Sequence, residues 1–529
     1  MGAFFVDGPE MPTVKSVEEM VGRFTSELIN HIPLWKEKLS GAPERLEPLE
    51  REVHAAFARG ADLLVVGLLA VVMKDARFEE QVEQTRQDYS QPLQRGRQRT
   101  VRVRLLGGLL VWAISLYCPP RKRRFRKHDQ TGGGVYVELA QFGFGKGVSP
   151  ALQSRVARQA ALCPSLDMAR QELARDGVEL DGKAVRRIAY QCGEGLLQLR
   201  KHQLLLWRAG ELPAGDELAG QRVSVQIDGG RTKIRGPLCE KTVQTEATDA
   251  DGLPTQDAPG RSRKTASQTF QSDWREPKLV TIFVHDEQGK MVKQSKATID
   301  GTLLGPDAIA EIVAMHLHRL GAARALSVTF VADGAPWIWD RIARIIELAG
   351  LADVPTHQVL DCCHAAHHIS LALAAVGLTA AERLPLYREH RTLLRNGQWR
   401  RVVEELSSLQ AEGKTNQELE TELSYLRRHG EAGRLSYVSF RRQGLPLGSG
   451  AIESSIRRVI NLRLKSNAIF WRQENAEIML QVRAQVMTDR WDERMVELGT
   501  FRRQQASNDW HWEPRAFSCK VEADHATAV

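Results

Sequence analysis

From residue 223 apolar and polar positions alternate, with Val223, Val225 and Ile227 set against Ser224, Gln226 and Asp228. That is the period of a β-strand, and this one ends in a carboxylate followed by Gly229 and Gly230. A second apolar run, "ALSVTFVADG", closes the same way on Asp333 and Gly334, and "THQVLDCCHAAHHISLALAAV" passes from strand into helix at Asp361. "KLVTIFVHDEQGKMVKQS" reads as a hairpin turning near Glu287 to Gly289. "PDAIAEIVAMHLHRLGA" and "PWIWDRIARIIELAG" carry helical spacing, the second with Pro at its start. Strand, hairpin, helix, strand, helix, strand is an α/β order.

The flanks read differently. Residues 1 to about 95 are helical in pattern, and "RTVRVRLLGGLLVWAISLYC" alternates as a β-hairpin. Three helices follow, from Ser149, from Ser165 to a stop at Gly177, and after Asp181. This resembles a helix-turn-helix unit whose last helix would offer Lys183, Arg186 and Arg187 to a DNA groove. Ordinary three-helix packing gives the same pattern. Residues 241 to 276 are polar, carry a basic knot "GRSRK", and read as a long flexible loop. Residues 378 to 440 are helix-prone without strand signals. "LPLGSGAIESSIRRVINLRLK" then opens a helix with Glu453 in its first turn, beside a stripe of Ile452, Ile456, Val459 and Ile460.

A chain of 529 residues has room for two to four domains. Lys plus Arg number 73 against 65 Asp plus Glu, and the net charge of +8 permits a polyanionic partner. The cysteines at 118, 163, 192, 239, 362, 363 and 519 are scattered and odd in number, which points to a reducing, cytoplasmic setting. The start, "MGAFFVDGPEMPTV", has no signal-peptide pattern. The apolar runs at 63 to 73 and 105 to 118 are shorter than the roughly 20 residues of a membrane helix, so a soluble protein without a membrane partner is expected. "PPRKRRFRK" concentrates Arg121, Lys122, Arg123, Arg124, Arg126 and Lys127, either as a phosphate-contacting patch or as a solvated loop.

Taken singly, Asp228 and Asp333 are explained by Asp-Gly turns and Glu453 by the helix dipole. Taken together they are a strand-Asp, a strand-Asp and a helix-Glu within one α/β unit. Three carboxylates at one sheet edge repel unless cations neutralise them. Hard oxygen ligands suit Mg²⁺ or Mn²⁺, and two such ions about 4 Å apart suit in-line displacement at phosphorus. Asp361 and His364 fall near the same edge. His364, His367 and His368 have zinc-compatible spacing on one helix face, but no matching Cys or carboxylate cluster accompanies them, so zinc is not expected.

The stretches "QIDGGRTKIR", "FVADGAPWIW", "VLDCCHAAHHI" and "PLGSGAIESSIRRVINLRLK…FWRQENAEIMLQVRAQVMTDRWD" resemble those of bacterial insertion-sequence DDE transposases of the ISKra-like group. As a set they are specific and span residues 222 to 492, with weaker likeness back to about residue 100. The resemblance implies an RNase H-like catalytic domain split by a helical insertion ahead of its last carboxylate. It also implies that Asp228, Asp333 and Glu453 are the metal-binding triad, assisted by the Asp-x-x-His pair Asp361 and His364. Many relatives carry a zinc-ribbon-like segment before the three-helix unit. Here only Cys118 stands there, followed by the basic run.

The expected organisation is a helical region (1–100), a hairpin with basic loop (101–148), a helix-turn-helix-like unit (149–210), a catalytic core (216–377 and 446–495) around a helical insertion (378–445), and a tail (496–529). The expected activity is cleavage at element ends and transfer of the 3′-hydroxyl to target DNA, by a protein acting as a dimer on double-stranded DNA. Arg457 is expected to pair with Glu453 or meet a phosphate, and Arg458, Arg463 and Lys465 to contact backbone. Trp337 and Trp339 are candidates for stacking on a base, or for core anchors. Two other readings stay open: an RNase H-like nuclease without strand transfer, and a DNA-binding regulator whose carboxylates are inert.

Overall fold

The computed structural model describes residues 3–5, 17–88, 93–119, 134–241, 267–410, 416–465 and 469–504. The basic run Arg121 to Lys127 and the "GRSRK" knot lie outside them. The architecture is mixed α/β.

The N-terminal part holds β1 (Ala3–Phe5), α1 (Val17–Gly41), α2 (Leu46–Val72), α3 (Ala76–Asp88), β2 (Arg97–Arg104), β3 (Leu110–Cys118), β4 (Val135–Tyr136) and α4 (Val137–Gln141). The alternation in 97–118 forms an antiparallel hairpin with Val103 opposite Val111. Its inner face packs on Leu63, Val66 and Ala70 of α2. Asp62 ties the two together by accepting the backbone N–H groups of Gly107 and Leu109, each at 3.0 Å. The apolar run at 63–73 is the end of a much longer helix. By length and composition alone, Pro43–Val72 is apolar enough to cross a membrane, and 33% of its most apolar window is buried inside the protein. Leu64, Val65, Leu68, Val71 and Val72 face outward.

Three helices follow: α5 (Pro150–Leu162), α6 (Leu166–Arg175) and α7 (Gly182–Arg208). Each begins where a side-chain oxygen is available. Ser149, Ser165 and Asp181 accept the N–H groups of Leu152, Met168 and Ala184. Lys183, Arg186 and Arg187 are exposed at the start of α7.

The core contains β5 (Arg222–Gly229), β6 (Thr232–Lys241), β7 (Ser267–Arg275), β8 (Lys278–Val284), β9 (Thr298–Thr302), α8 (Pro306–Arg319), β10 (Ser327–Ala332), α9 (Pro336–Leu348), β11 (Thr356–Leu360) and α10 (Cys362–Ala375). Its sheet runs β11-β10-β5-β8-β9. β10 is parallel to both β5 and β11, whereas β8 is antiparallel to β5 and to β9. Two expectations change here. The polar stretch 241–276 is bounded by strands, because β6 and β7 pair as a ribbon with Thr232 opposite Arg275. The chain does turn at Asp286–Lys290, but β8 takes β9 as its partner after an intervening polar stretch.

Residues 378–445 form α11 (Ala380–Arg395), α12 (Trp399–Ser408), α13 (Gln417–Glu431) and α14 (Tyr437–Arg442), whose Leu394, Leu406, Leu423 and Leu426 join the sheet's own apolar core. The chain returns through α15 (Gly450–Ser455), which runs on as a π-helical segment (Ile456–Asn461), then α16 (Gln473–Val486) and α17 (Trp491–Gln504). The wider π turn leaves carbonyls off the regular ladder. Arg483 of α16, fully buried, donates to the carbonyls of Arg458 and Val459 and to Ala161 of α5.

A buried ionic joint fastens α7 to the core. Arg200 lies 2.9 Å from Asp300 of β9 and 2.8 Å from Glu477 of α16, and also donates to the Gly301 carbonyl and Gln481. Asp300 takes His316 as a second partner at 2.8 Å. Burial pushes the Asp300 carboxyl up, but Arg200 and then His316 outweigh it and hold it well below the usual range. Arg200→Ala leaves two buried carboxylates short of a cation, so it is expected to lower unfolding free energy by about 3–5 kcal/mol. Chemical denaturation checks this, and a loss under about 1 kcal/mol would mean the joint is surface-like.

Candidate active site

Parallel register brings the acids together. Ile227 pairs with Ala332 and Ala332 with Leu360, so the next residues, Asp228, Asp333 and Asp361, end three adjacent strands at one level. Neighbouring strands lie about 4.8 Å apart, and residues at matching positions share a face. The repulsion this implies is visible in Asp228. Burial first, then the Asp333 charge, push its carboxyl up to about 7, with a smaller push from Glu453 and partial relief from the Gly229 N–H and His364.

The glycines after the two strand acids are there for space. Neither Gly230 nor Gly334 has a positive φ, so no left-handed turn demands them. A Cβ on Gly230 would meet Ile460 at 2.6 Å, and one on Gly334 would run into the Tyr425 ring. Gly229 itself pairs with Lys278 within β5 and Gly334 is covered by Tyr425, so the hairpin-turn explanation of the Asp-Gly pairs gives way.

Glu453 reaches this edge because Gln226 holds its helix. Gln226 is 1% exposed, two residues before Asp228 and on the same face. Its amide donates to the Gly448 carbonyl at 3.1 Å and accepts the Ile452 N–H at 3.0 Å, so both polar ends grip the start of α15. The Ser455 and Thr281 hydroxyls meet at 3.0 Å and pin the other end to β8. Glu453 itself is 55% exposed at the side chain, with Oε1 2.9 Å from Ser449 Oγ and 3.8 Å from His364 Nε2. Among the described residues no three His, Cys, Asp or Glu side chains stand close enough together to hold a metal ion as they are placed. Asp228 and Asp333 form a close pair, and the third acid faces it from an open side. In chemical kind this donor set fits a hard divalent cation: oxygen ligands only, one carboxyl held protonation-prone by burial and then by its neighbour, and one carboxylate exposed to approach.

Asp361 has a different task. At 1% exposure it accepts from the Cys363 and His364 N–H groups at 2.6 and 2.8 Å, and from the Ser449 hydroxyl and N–H. With both oxygens doubly engaged it caps α10 and clamps the Ser449 loop. It thereby sets His364 and Glu453 in place rather than facing a ligand.

One other expectation changes, and two open alternatives narrow. Arg463 is 4% exposed with its guanidinium 5.1 Å from the Trp471 ring, so it is a core residue and no DNA contact; its spacing continues the buried stripe of Ile452, Ile456 and Val459. Arg457 makes no ion pair with Glu453 within 4 Å, since the widened π turn breaks the i to i+4 alignment. Trp339 is a core anchor, 7% exposed, donating to the Asp333 carbonyl under the Arg434 guanidinium. Arg457, Arg458 and Lys465 are exposed.

Sequence reasoning missed Gln226, Ser449, Lys278 and Tyr425. Lys278 is 7% exposed, opposite Gly229, with Nζ 3.2 Å from Glu276 and 5.1 Å from the Trp337 ring. Tyr425 stacks on His368 at 3.5 Å between centroids, and burial followed by the Asp333 charge pushes its phenol well above the ordinary range. Only Gln226 left a signal: an uncharged polar residue in an otherwise apolar strand, two positions before the acid.

Comparison with protein-family models, curated proteins and solved structures gives no match. The site itself therefore carries the functional argument.

A raised Asp228 pKa means the folded state holds its proton more tightly than the unfolded chain. The associated stability is full below about pH 4 and is lost as pH rises through 7. Without divalent cations, Asp228→Asn is expected to raise the melting temperature relative to wild type at pH 8 and to change it little at pH 4. Mg²⁺ is expected to stabilise wild type at pH 8 and not the variant. Thermal melts at the two pH values decide, and a pH-independent difference would remove Asp228 from the coupled pair.

Proposed function

We propose that this chain is a DDE-type transposase with an RNase H-like catalytic domain. It would bind the terminal inverted repeats of an insertion sequence and catalyse metal-dependent DNA strand cleavage and strand transfer. The observation that carries the reading is the adjacent pair Asp228 and Asp333 at the ends of paired parallel strands, with Glu453 docked on the same face through Gln226. The mixed sheet, and the all-helical segment 378–445 ahead of Glu453, support the RNase H-like assignment.

Asp228, Asp333 and Glu453 would hold Mg²⁺ or Mn²⁺, two ions in all, which would neutralise charge at a phosphate and lower the pKa of an attacking oxygen. The protein's own part is positional. Gln226 and Asp361 fix the helix starts that carry Glu453 and His364, so that little rearrangement is needed when a strand enters. His364, half-exposed beside Glu453, is placed to hold or pass a proton at its Nε2.

Double-stranded DNA would lie across exposed basic residues: Lys183, Arg186 and Arg187 on α7, and Arg457, Arg458 and Lys465 beyond Glu453. The run from Arg121 to Lys127 is assigned to the element ends. Joining two ends calls for two copies, and the outward apolar faces of α1 and α2 offer a surface for a dimer. A bacterial cytoplasm fits this activity.

Supercoiled plasmid carrying the DNA that flanks the coding region provides the test. With Mg²⁺, wild type is expected to nick and join it. Asp228→Asn, Asp333→Asn and Glu453→Gln are expected to lose at least about a hundredfold in rate while binding the DNA equally well. Binding without cutting or joining would refute the enzyme reading, and cutting without joining would leave a nuclease.

A further inference from the structure

β6 leaves the acidic edge at once, and its alternation has two distinct faces. Thr232 and Ile234 point inward, and Ile234 packs with Ile452, Ile456 and Ile460 of the Glu453-bearing helix. Segment 469–472 extends the ribbon: Trp471 donates its N–H to the Lys233 carbonyl at 3.1 Å, and its own carbonyl accepts the Arg235 N–H at 2.7 Å. The ribbon is thus a firm extension of the catalytic core.

The outer face is aromatic and basic. Lys233 stands opposite Trp274 in register, with Nζ 5.1 Å from the Trp274 ring and 5.6 Å from the Phe470 ring. Trp274 is 49% exposed and Phe470 37%. Arg472, two residues past Phe470, shares its face and is exposed, and Arg231 is exposed just before β6; Arg275, opposite the inward Thr232, belongs to the other face. The acids nearby are Asp273, 3.5 Å from Arg275, with Glu276, 3.2 Å from Lys278, and Glu474. Two large rings held in place among cations make a poor hydrophobic interface. They make a good platform for bases whose phosphates need neutralising.

We propose that the outer face of the β6–β7 ribbon binds single-stranded DNA, with Trp274 and Phe470 stacking unpaired bases and Lys233 and Arg472 meeting phosphates. The proposal rests on the transposase reading only for the origin of that strand, the end opened at the acidic edge. Five extended residues separate Asp228 from Lys233, at most about 17 Å, so a strand leaving the site reaches the platform within a few nucleotides.

Fluorescence anisotropy of a labelled oligothymidylate and of a labelled random duplex, with the full-length protein, tests this. Trp274→Ala and Phe470→Ala are each expected to weaken oligothymidylate binding about tenfold, and the double variant further. Trp274→Phe keeps a stacking ring and is expected to stay within about threefold of wild type, as is duplex binding by every variant. Unchanged melting temperatures show that the variants are folded, as exposed positions should allow. The proposal fails if wild type does not bind oligothymidylate, if the double variant binds it as wild type does, or if duplex binding falls equally. The outcome is separable from catalysis: ring-dependent binding by a protein that never cuts plasmid would sink the enzyme reading alone, and cutting with ring-independent binding would sink this one alone.

Discussion

Two carboxylates held side by side by strand pairing set the terms for everything around them. The parallel register of β5 and β10 fixes where Asp228 and Asp333 stand, and side-chain movement alone cannot take them far apart. Burial first, and then the neighbouring Asp333 charge, disfavour the ionised form and push the Asp228 carboxyl up to about 7. The cost is carried by the apolar contacts of Val223, Val225, Ile227, Val328 and Phe330, all almost fully buried in one core. A sheet that stable can hold an edge that, without counter-charge, opposes folding.

A third acid does end the neighbouring strand, but Asp361 has both oxygens engaged by N–H and hydroxyl donors, and the acid that faces the pair is Glu453. It comes on a short helix held by uncharged polar groups. Gln226 and Thr281 grip that helix from within the sheet, while Ser449 sits 2.8 Å from Asp361 and 2.9 Å from Glu453. One hydroxyl hydrogen serves only one of those carboxylates at a time, so Ser449 links the two acids' positions. Beyond Ser455 the helix continues as a π turn, and Arg483 takes up the Arg458 and Val459 carbonyls. Arg463 turns inward, while Arg457 and Arg458 stay at the surface. The three-helix unit is locked to the same body by Arg200, which fixes the direction of Lys183, Arg186 and Arg187 relative to the acidic edge.

The parts legible from sequence were those set by local period. β5, β10 and β11 announce themselves by apolar runs ending in Asp, and the caps Ser149, Ser165 and Asp181 mark their helices. What depends on partners was not legible. β9 is too short and polar to read as a strand until it pairs with β8, and β6 and β7 lie in a stretch whose polar outward residues masked the pairing. Arg463 has the charge of a surface cation, but helical spacing from Ile452, Ile456 and Val459 puts it on the buried stripe. At the site, the identity of the acids followed from chain position. Their support did not, since Gln226 is 222 residues from the Gly448 carbonyl it holds.

The helical segment 378–445 also changes the chemistry of the edge it covers. Tyr425 on α13 packs over Gly334 so closely that no side chain fits there, and it stacks on His368, which pairs with Glu422 of the same helix. This wall takes water from one flank of Asp333, while the flank toward Glu453 stays exposed. Removing solvent from one side strengthens the mutual repulsion of the strand acids and, with it, their attraction for a cation approaching from the other. A helical segment whose apolar leucines merge with the sheet core is therefore part of the electrostatics of the site. Its interruption of the chain before Glu453 costs no continuity, because the return path is held by side-chain hydrogen bonds to the first strand.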